Sequence, residues 1–248
     1  MLLRDDGDQL VTIRVILLEP LYGGNIGSVA RVMMNFGFRD LVLVNPPVIG
    51  DEARTFASNP NAIDFLESAT VVGSFEEAIH DSNLVVGTTS KMGETENRHV
   101  RMPAYSPKAL KAKFDGKKGN VSLVFGREDR GLSSNELSRC DIIAVIPTSA
   151  SYPVMNISHA VAIFLYELQD LSPGQYPLAD RYNKDLLYEH IHEFLHKIPY
   201  PQHKLEKTAL MIKRILGRAE LTGREVQTLR GVLKRTERAI KEGRESER

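Results

Sequence analysis

Five short runs of mostly apolar residues, rich in valine, leucine and isoleucine, constrain the fold of this chain more than any other feature. They lie at residues 12–18, 41–44, 84–87, 121–126 and 142–146. Nearly unbroken apolar runs of this length are typical of strands buried on both faces of a parallel sheet. Helical patterns at residues 25–36, 107–114 and 156–171 alternate with them. The sequence therefore predicts an α/β domain with a parallel sheet.

The pattern changes after residue 171. Residues 172–177 read Ser-Pro-Gly-Gln-Tyr-Pro, a composition typical of a linker. Beyond them the strand signal stops; Leu187 and Ile191 share one helical face, and Leu205 and Ala209 share another. We therefore predict an α/β domain at residues 1–171, a linker at 172–177 and a small all-helical domain at 178–248.

Charge is distributed unevenly between these segments. The whole chain has 32 basic and 32 acidic side chains, but residues 181–248 hold 16 basic and 10 acidic ones, a net charge of +6, which leaves −6 on residues 1–180. A basic surface attracts polyphosphate, although charge runs also occur on solvated helix faces. We call residues 178–248 the tail. Charge alone does not decide whether the tail binds nucleic acid.

Three features bear on the cellular setting. Cys140 is the only cysteine, so the chain cannot form an internal disulfide. Acidic residues begin at Asp5, too early for the apolar region of a signal peptide. The most apolar run, residues 157–168, contains Ser158 and His159 and is shorter than the roughly 18 residues that a membrane span needs. We therefore expect a cytoplasmic protein with no membrane partner.

A glycine-rich loop joins the first predicted strand to the first helix. It contains Gly23, Gly24 and Gly27, and loops of this kind often hold phosphate at a helix N-terminus. The loop has neither the Lys-Ser/Thr pair of a P-loop nor the G-x-G-x-x-G pattern of a Rossmann turn. A tight turn and a nucleotide contact both fit it. Arg31, further along the helix, fits either a solvent-facing side chain or a phosphate clamp.

Two further loops follow the ends of predicted strands. Residues 125–132 pass from a buried strand through Gly126 into four consecutive charged residues. Residues 146–156 lead to Asn156, which is placed to cap the long helix. Ligands of open parallel sheets bind beyond the carboxyl ends of the strands, so the charges after Gly126 favour a functional site. Capping alone would explain Asn156.

Residues 192–196 match the pattern H-E-x-x-H, in which two histidines on one helical face bind zinc and a glutamate acts as general base. A third ligand is not evident, because the usual extension would need glycine at Pro199 and histidine at Gln202. A zinc protease is therefore a remote alternative, and we expect no metal.

Three segments taken together resemble the motifs of a known family in both order and spacing. They are Gly-Asn-Ile-Gly-Ser-Val-Ala-Arg at 24–31, Phe-Gly-Arg-Glu-Asp-Arg-Gly-Leu at 125–132, and residues 146–156. The family is the SpoU/TrmH RNA 2′-O-methyltransferases of the SPOUT superfamily. The resemblance is greatest to its TrmJ-type tRNA methyltransferases, because it extends through residues 85–90 and into the tail at 176–178 and 229–233.

The resemblance implies an α/β domain with a parallel sheet and a C-terminal deep trefoil knot, an exception to the rule that chains do not thread their own loops. It implies a homodimer that binds S-adenosyl-L-methionine in the knot. The family's cofactor-binding positions carry over to Thr88, Thr89, Ser90, Gly126, Ile146, Pro153, Val154 and Met155. Many relatives have serine at the position of Val154, so a hydroxyl role there is absent or is supplied elsewhere.

The family's functional positions carry over to Asn25, Arg31, Glu128 and Asn156. The implied reaction moves a methyl group from a sulfonium to a ribose 2′-hydroxyl, a displacement that depends on alignment. Family proposals make the arginine a base. Arginine stays protonated at nearly any pH, so Arg31 as a clamp on phosphate or on the developing alkoxide is physically easier.

The implied substrate is tRNA, and the implied target is the nucleotide at position 32 of the anticodon loop, a cytidine. Two alternatives remain. One is 2′-O-methylation of another tRNA or rRNA site. The other is an RNA-binding knot protein without catalysis, against which the presence of all four functional residues argues.

Overall fold

The computed structural model describes residues 11–90 and 98–246, with residues 98, 99 and 244–246 described by their backbone alone. These ranges contain eight strands: β1 (Val11–Leu18), β2 (Asp40–Val44), β3 (Thr70–Val72), β4 (Leu84–Thr88), β5 (Ala104–Tyr105), β6 (Lys117–Phe125), β7 (Ile142–Ala144) and β8 (Tyr176–Pro177). Seven of them form a parallel sheet in the order β3-β2-β1-β6-β4-β7-β5, and β8 pairs with the start of β6. The predicted parallel sheet is confirmed.

Eleven α-helices lie in the same ranges: α1 (Gly23–Phe36), α2 (Asp51–Ala57), α3 (Pro60–Glu67), α4 (Phe75–Ile79), α5 (Arg98–Arg101), α6 (Pro107–Phe114), α7 (Ser134–Arg139), α8 (Ile157–Leu168), α9 (Arg181–Lys197), α10 (Leu205–Ala219) and α11 (Gly223–Ser246). None of the helices in the described ranges is both long and apolar enough to cross a membrane.

Both faces of the sheet are covered, which explains why its strands are apolar throughout. Successive side chains of a strand point to opposite faces. Val15 and Leu17 of β1 therefore belong to one core cluster with α1, α3, α6 and α8, while Ile16 and Leu18 belong to another with α4, α5 and α7. All four side chains are buried.

The five predicted strands and three predicted helices are all present, with shifted ends. Strand β7 ends at Ala144; the N–H of Val145 makes one more hydrogen bond to the Tyr105 carbonyl of β5, and the chain then leaves the sheet. Helix α8 begins after Asn156 and ends at Leu168. The sequence did not predict β3 and β5 or the short helices α2, α3, α4, α5 and α7, because their apolar positions are too few to show a period.

Residues 172–177, predicted as a linker, are held against the sheet domain. The Ser172 N–H donates to an Asp115 carboxylate oxygen at 2.7 Å. Strand β8 pairs with Lys117 and Lys118. A Cβ on Gly174 would lie 1.9 Å from the Lys117 carbonyl oxygen, so this crossing requires glycine.

Helices α9, α10 and α11 form a core of their own, which includes Leu187, Leu195, Leu205 and Val226. The apolar faces predicted for α9 and α10 both point into it. Four basic side chains of α9 and α10 reach residues 137–141, which form the end of α7 and the link to β7. We call this set of interactions the tail contact. The four side chains are Arg181, Lys184, Lys213 and Arg214.

Candidate active site

A cavity of about 720 Å³ lies at the carboxyl ends of β1, β4, β6 and β7, within the range of roughly 300–1,000 Å³ that is usual for ligand sites. In a parallel sheet these strand ends lie at one edge, where ligands bind. Eleven of the twelve site residues predicted from the sequence line the cavity: Asn25, Thr88, Thr89, Ser90, Gly126, Glu128, Ile146, Pro153, Val154, Met155 and Asn156.

Three of these side chains form a hydrogen-bonded chain, which we call the amide relay (Glu128, Asn25 and Asn156). The Asn25 amide nitrogen donates to Glu128 Oε1 at 2.8 Å. The Asn156 amide nitrogen donates to Asn25 Oδ1 at 2.9 Å. The Leu21 N–H donates to the other Glu128 oxygen at 2.8 Å. The relay joins the first turn of α1, the loop after β6 and the residue that caps α8, so residues more than 100 positions apart are in direct contact.

Asn156 combines the two roles that the sequence left open. Its Oδ1 accepts hydrogen bonds from the N–H and the hydroxyl of Ser158, at 2.9 and 2.7 Å, and so caps α8. Its amide nitrogen meanwhile donates to Asn25. Because both ends of the amide are held, the orientation of Asn156 is fixed by the start of the helix that carries it.

The glycines predicted to form a loop, Gly23, Gly24 and Gly27, instead belong to the first turns of α1, where they allow close packing around Asn25. A Cβ on Gly24 would lie 3.0 Å from the Phe56 ring and from a Glu52 carboxylate oxygen, and one on Gly27 would lie 2.0 Å from the Ala53 carbonyl oxygen. The glycines therefore let α2 lie directly against the start of α1. This arrangement brings Phe56 and Glu52 into the cavity wall.

The loop at residues 126–131 is held in place by the ion pairs of Arg127 and by the close approach of its two ends. Arg127 is buried and forms ion pairs with Glu19 and Glu136, at 2.6 and 3.0 Å. Burial lowers the pKa of Arg127, but hydrogen bonds to Glu19 and Glu136 outweigh it and raise that pKa above its ordinary value. A Cβ on Gly126 would lie 2.3 Å from the Gly131 carbonyl carbon, so the loop can close only with glycine there.

The end of β4 forms the opposite wall. The Thr88 hydroxyl donates to the Val124 carbonyl at 2.8 Å, and the Thr89 N–H donates to the Ala144 carbonyl at 2.9 Å. These bonds tie the segment to both neighbouring strands. Ser90 is exposed and also lines the cavity.

Val154 and its neighbours form the remaining wall. Val154 is half exposed, with 51% of its surface accessible. The Thr148 hydroxyl donates to the Pro153 carbonyl at 3.2 Å, which closes the turn that carries Pro153, Val154 and Met155. Thr148 lines the cavity and supplies a hydroxyl close to the position where Val154 has none.

Arg31 is the one predicted site residue that does not line the cavity. Its side chain is exposed and donates to the Ser58 hydroxyl at 3.1 Å. Asn25 and Arg31 lie on the same helix, α1, but only Asn25 joins the relay.

The H-E-x-x-H residues lie on α9, in the helical tail. His192 Nε2 is 2.9 Å from a Glu206 oxygen, the His192 and His196 rings are 4.9 Å apart, and Glu193 pairs with Lys197 at 3.6 Å. Across residues 11–90 and 98–246, no three His, Cys, Asp or Glu side chains are grouped so that they could hold a metal ion.

Arg101, Phe56 and Glu52 are among the cavity residues that the sequence did not single out. They lie on the short helices α5 and α2, which the sequence did not predict. The Gly-Gly pair at residues 23–24 was a signal that something packs closely there, but its pattern cannot say which residue does.

Comparison with known proteins agrees with this geometry. The profile of the SpoU rRNA Methylase family matches residues 12–166, and that of the tRNA methyltransferase TrmJ C-terminal domain matches residues 183–245. The tRNA (cytidine-2′-O-)-methyltransferase TrmJ of Methanocaldococcus jannaschii is 40% identical over 236 residues, which cover 91% of this chain and 100% of that protein. The tRNA (cytidine/uridine-2′-O-)-methyltransferase TrmJ of Pectobacterium atrosepticum is 32% identical over 240 residues, 90% of this chain and 96% of that one.

Among solved structures, TrmJ from Z. mobilis ZM4 superimposes with a TM-score of 0.71 at 29% identity, over 90% of this chain and 98% of that chain. The chain therefore belongs to the SpoU methylase family, in its TrmJ branch. The family and the methyltransferase class predicted from the sequence are confirmed.

Proposed function

We propose that the protein is an S-adenosyl-L-methionine-dependent tRNA 2′-O-ribose methyltransferase that acts as a homodimer in the cytoplasm. The observation that carries the proposal is the amide relay of Glu128, Asn25 and Asn156 at a cavity built from the ends of parallel strands. Family membership supports the reaction class, and the tRNA substrate is supported by relatives that carry it in their names.

The cavity fits the proposed cofactor in both size and chemistry. Leu132, Ile146 and Met155 line it with apolar surface, which suits the adenine ring, and the ends of β4 and β6 add backbone groups and hydroxyls. We propose that Thr88, Thr89, Ser90, Gly126, Ile146, Pro153, Val154 and Met155 hold it. The cofactor supplies the methyl group and a good leaving group.

The residues of this chain would orient the acceptor. A ribose hydroxyl is a weak nucleophile, so the rate depends on holding it in line with the transferred carbon. Glu128 has one donor on each carboxylate oxygen and retains lone pairs that can accept a hydrogen bond from the hydroxyl. Asn25 and Asn156 fix the position of that carboxylate.

Arg31 would act as a clamp rather than as a base. Its guanidinium is exposed and its partner in the chain is a neutral hydroxyl, so its charge is available to an RNA phosphate or to a developing alkoxide. A guanidinium remains protonated near neutral pH, which makes proton removal by Arg31 the harder route.

We also propose that the chain after β6 is knotted. The loop at residues 126–131 closes through the contact between Gly126 and Gly131, and residues 146–157 return beside it to line the same cavity. The support for a threaded path is the resemblance to the family, which implies a knot in this region. A homodimer is supported by an exposed aromatic surface, where Tyr166 of α8 is 61% accessible and meets the edge of Phe36 of α1. Light scattering on the full chain would give its mass in solution.

The proposed domain division assigns RNA binding to the helical tail at residues 178–248. Its excess of positive charge supports this role, and α11 exposes Arg224, Lys234, Arg235 and Arg238.

The proposed target is the nucleotide at position 32, a cytidine. Another tRNA or rRNA site is the second candidate, favoured by the rRNA named in the matching family description.

A test of the proposed function must show both that methyl transfer occurs and which nucleotide is methylated. The purified protein should bind S-adenosylhomocysteine in calorimetry and transfer labelled methyl groups to tRNA, and mapping of 2′-O-methylation in cells that lack the protein should show position 32 unmodified. Methylation mapped elsewhere would support the second candidate. Binding of the cofactor product and tRNA without transfer would support a non-catalytic RNA-binding protein.

A further inference from the structure

Arg101 is a cavity residue whose charge has no counter-ion in the described part of the chain. It is the last residue of α5 and is partly buried. Its Nη1 donates to the Thr89 hydroxyl at 2.5 Å. Across residues 11–90 and 100–243, whose side chains the structure describes, it forms no ion pair. A partly buried cation without a counter-ion is costly, and an anionic ligand would offset that cost.

The other arginines of the cavity differ from Arg101. Arg127 is neutralised by Glu19 and Glu136 and braces its loop. Arg130 lies on the exposed turn of that loop. Arg101 therefore is the arginine in the described cavity wall that combines partial burial with an uncompensated charge. Its planar group carries five N–H donors in a fork that matches a carboxylate.

The backbone that carries Arg101 is held in place. The carbonyl of its neighbour Val100, which is buried, accepts a hydrogen bond from Arg214 at 3.0 Å. Arg214 also donates to the carbonyls of Leu137 and Cys140, at 2.7 and 2.6 Å. One tail side chain thus fixes α5 to the α7–β7 segment. A donor group held in this way before binding loses little entropy when a ligand arrives.

We infer that Arg101, held beside Thr89 at the end of β4, binds the carboxylate of the amino-acid part of S-adenosyl-L-methionine. This inference rests on the proposed function. Arg101 meets Thr89 at the end of β4, in the wall proposed to hold the cofactor, and not at the amide relay proposed to orient the ribose. A cofactor carboxylate is therefore favoured over an RNA phosphate as its anion.

The test compares a ligand that has the amino-acid part bearing that carboxylate with one that lacks this part. Calorimetry on the full chain would measure the affinity for S-adenosylhomocysteine, which has the amino-acid part, and for 5′-methylthioadenosine, which lacks it. Arg101→Ala should weaken S-adenosylhomocysteine roughly 10- to 100-fold, as expected for a hydrogen-bonded charge pair, and 5′-methylthioadenosine less than about 2-fold. The affinity of Arg101→Lys for S-adenosylhomocysteine should lie between those of the parent and Arg101→Ala, because lysine keeps the charge but lacks the forked N–H donors. Arg39→Ala, an exposed arginine outside the cavity, should change neither affinity.

Three results would overturn the inference. Equal losses for both ligands would mean that Arg101 only supports the shape of the cavity. An unchanged affinity for S-adenosylhomocysteine with a raised KM for tRNA would assign Arg101 to an RNA phosphate. Failure of the parent protein to bind S-adenosylhomocysteine would overturn the proposed function and this assignment with it.

Discussion

Two polar regions of the molecule, the amide relay and the tail contact, use similar groups in opposite ways. At the relay, Asn25 is partly accessible and Asn156 is exposed, so a ligand in the cavity can reach the hydrogen-bonding capacity that the relay retains. In the tail contact, Asp141 and Lys184 are buried and paired at 3.0 Å. Charges that have partners inside the chain stabilise it, whereas groups that face a cavity with bonding capacity left over are available for chemistry.

The tail contact provides hydrogen-bond donors for the carbonyl groups at the end of α7. The last carbonyls of a helix lack partners within it. At the end of α7, Arg214 binds the carbonyls of residues 137 and 140, and Lys213 binds those of residues 138 and 139 at 3.1 Å each. Asp141 follows directly and accepts a hydrogen bond from the Val85 N–H at 2.9 Å. Burial opposes the charge of Asp141, but Lys184 and Arg181 outweigh it and hold the pKa of that carboxyl well below its usual range.

The largest expected effect breaks the tail contact. Asp141→Ala would leave Lys184 and Arg181 buried without their shared carboxylate, and removing one partner of a buried ion pair costs about 3–5 kcal/mol. Denaturant unfolding would measure the loss. Asp185→Ala is the matched control, because that carboxylate pairs with the same Arg181 but is 42% exposed, and we expect a cost of at most about 1 kcal/mol. Equal losses in the two variants would contradict the role of burial.

The second prediction concerns the cavity side of the comparison. Arg31→Ala should leave the free energy of unfolding nearly unchanged, since the side chain is exposed, and should lower turnover roughly 100-fold, equal to about 2.7 kcal/mol of transition-state stabilisation. Arg31→Lys should retain only part of the turnover that Arg31→Ala loses. Ser58→Ala removes the partner of Arg31 in this chain and should change turnover only slightly. If Arg31→Ala methylated tRNA at the parent rate, Arg31 would be neither a clamp on phosphate or alkoxide nor a base.

The sequence could predict the sheet and much of the cavity because both follow simple rules. Apolar runs marked the central strands, and the charged loop after Gly126 indicated a strand-end site. The specific site residues came from the family resemblance. The tail contact could not be predicted, because charged residues such as Asp141 and Lys184 are almost always exposed and nothing local marks them as buried. Arg101 lies on a four-residue helix, too short to show a pattern.

The third prediction tests whether the basic tail binds tRNA. Deleting the tail would also uncover Asp141 and the carbonyls of α7, so substitutions on the exposed face of α11 are cleaner. Replacing Arg224, Lys234 and Arg235 together by alanine should weaken tRNA binding and lower the slope of log affinity against log salt by about 1 for each phosphate that the variant no longer neutralises. Lys108→Ala, an exposed change on the acidic sheet domain, should leave the slope unchanged. An unchanged slope in the triple variant would assign the tail a purely structural role.

The smallest expected effect is a pH dependence that arises in the tail contact. Burial lowers the pKa of Lys213 to about 8, against an ordinary value of 10.5, although Asp141 opposes the shift. Above about pH 8 the folded chain has therefore released a proton that the unfolded chain still binds, so stability should rise with pH. Burial also raises the pKa of Cys140 from 9 to about 12, and ionisation of that thiol in the unfolded chain reverses the trend above about pH 9. Between pH 8 and 9 the stability of the parent should rise by about 1 kcal/mol relative to that of Lys213→Met, because the contribution of Cys140 is common to both proteins. Identical pH profiles for the two proteins would show that Lys213 keeps its ordinary pKa in the folded state.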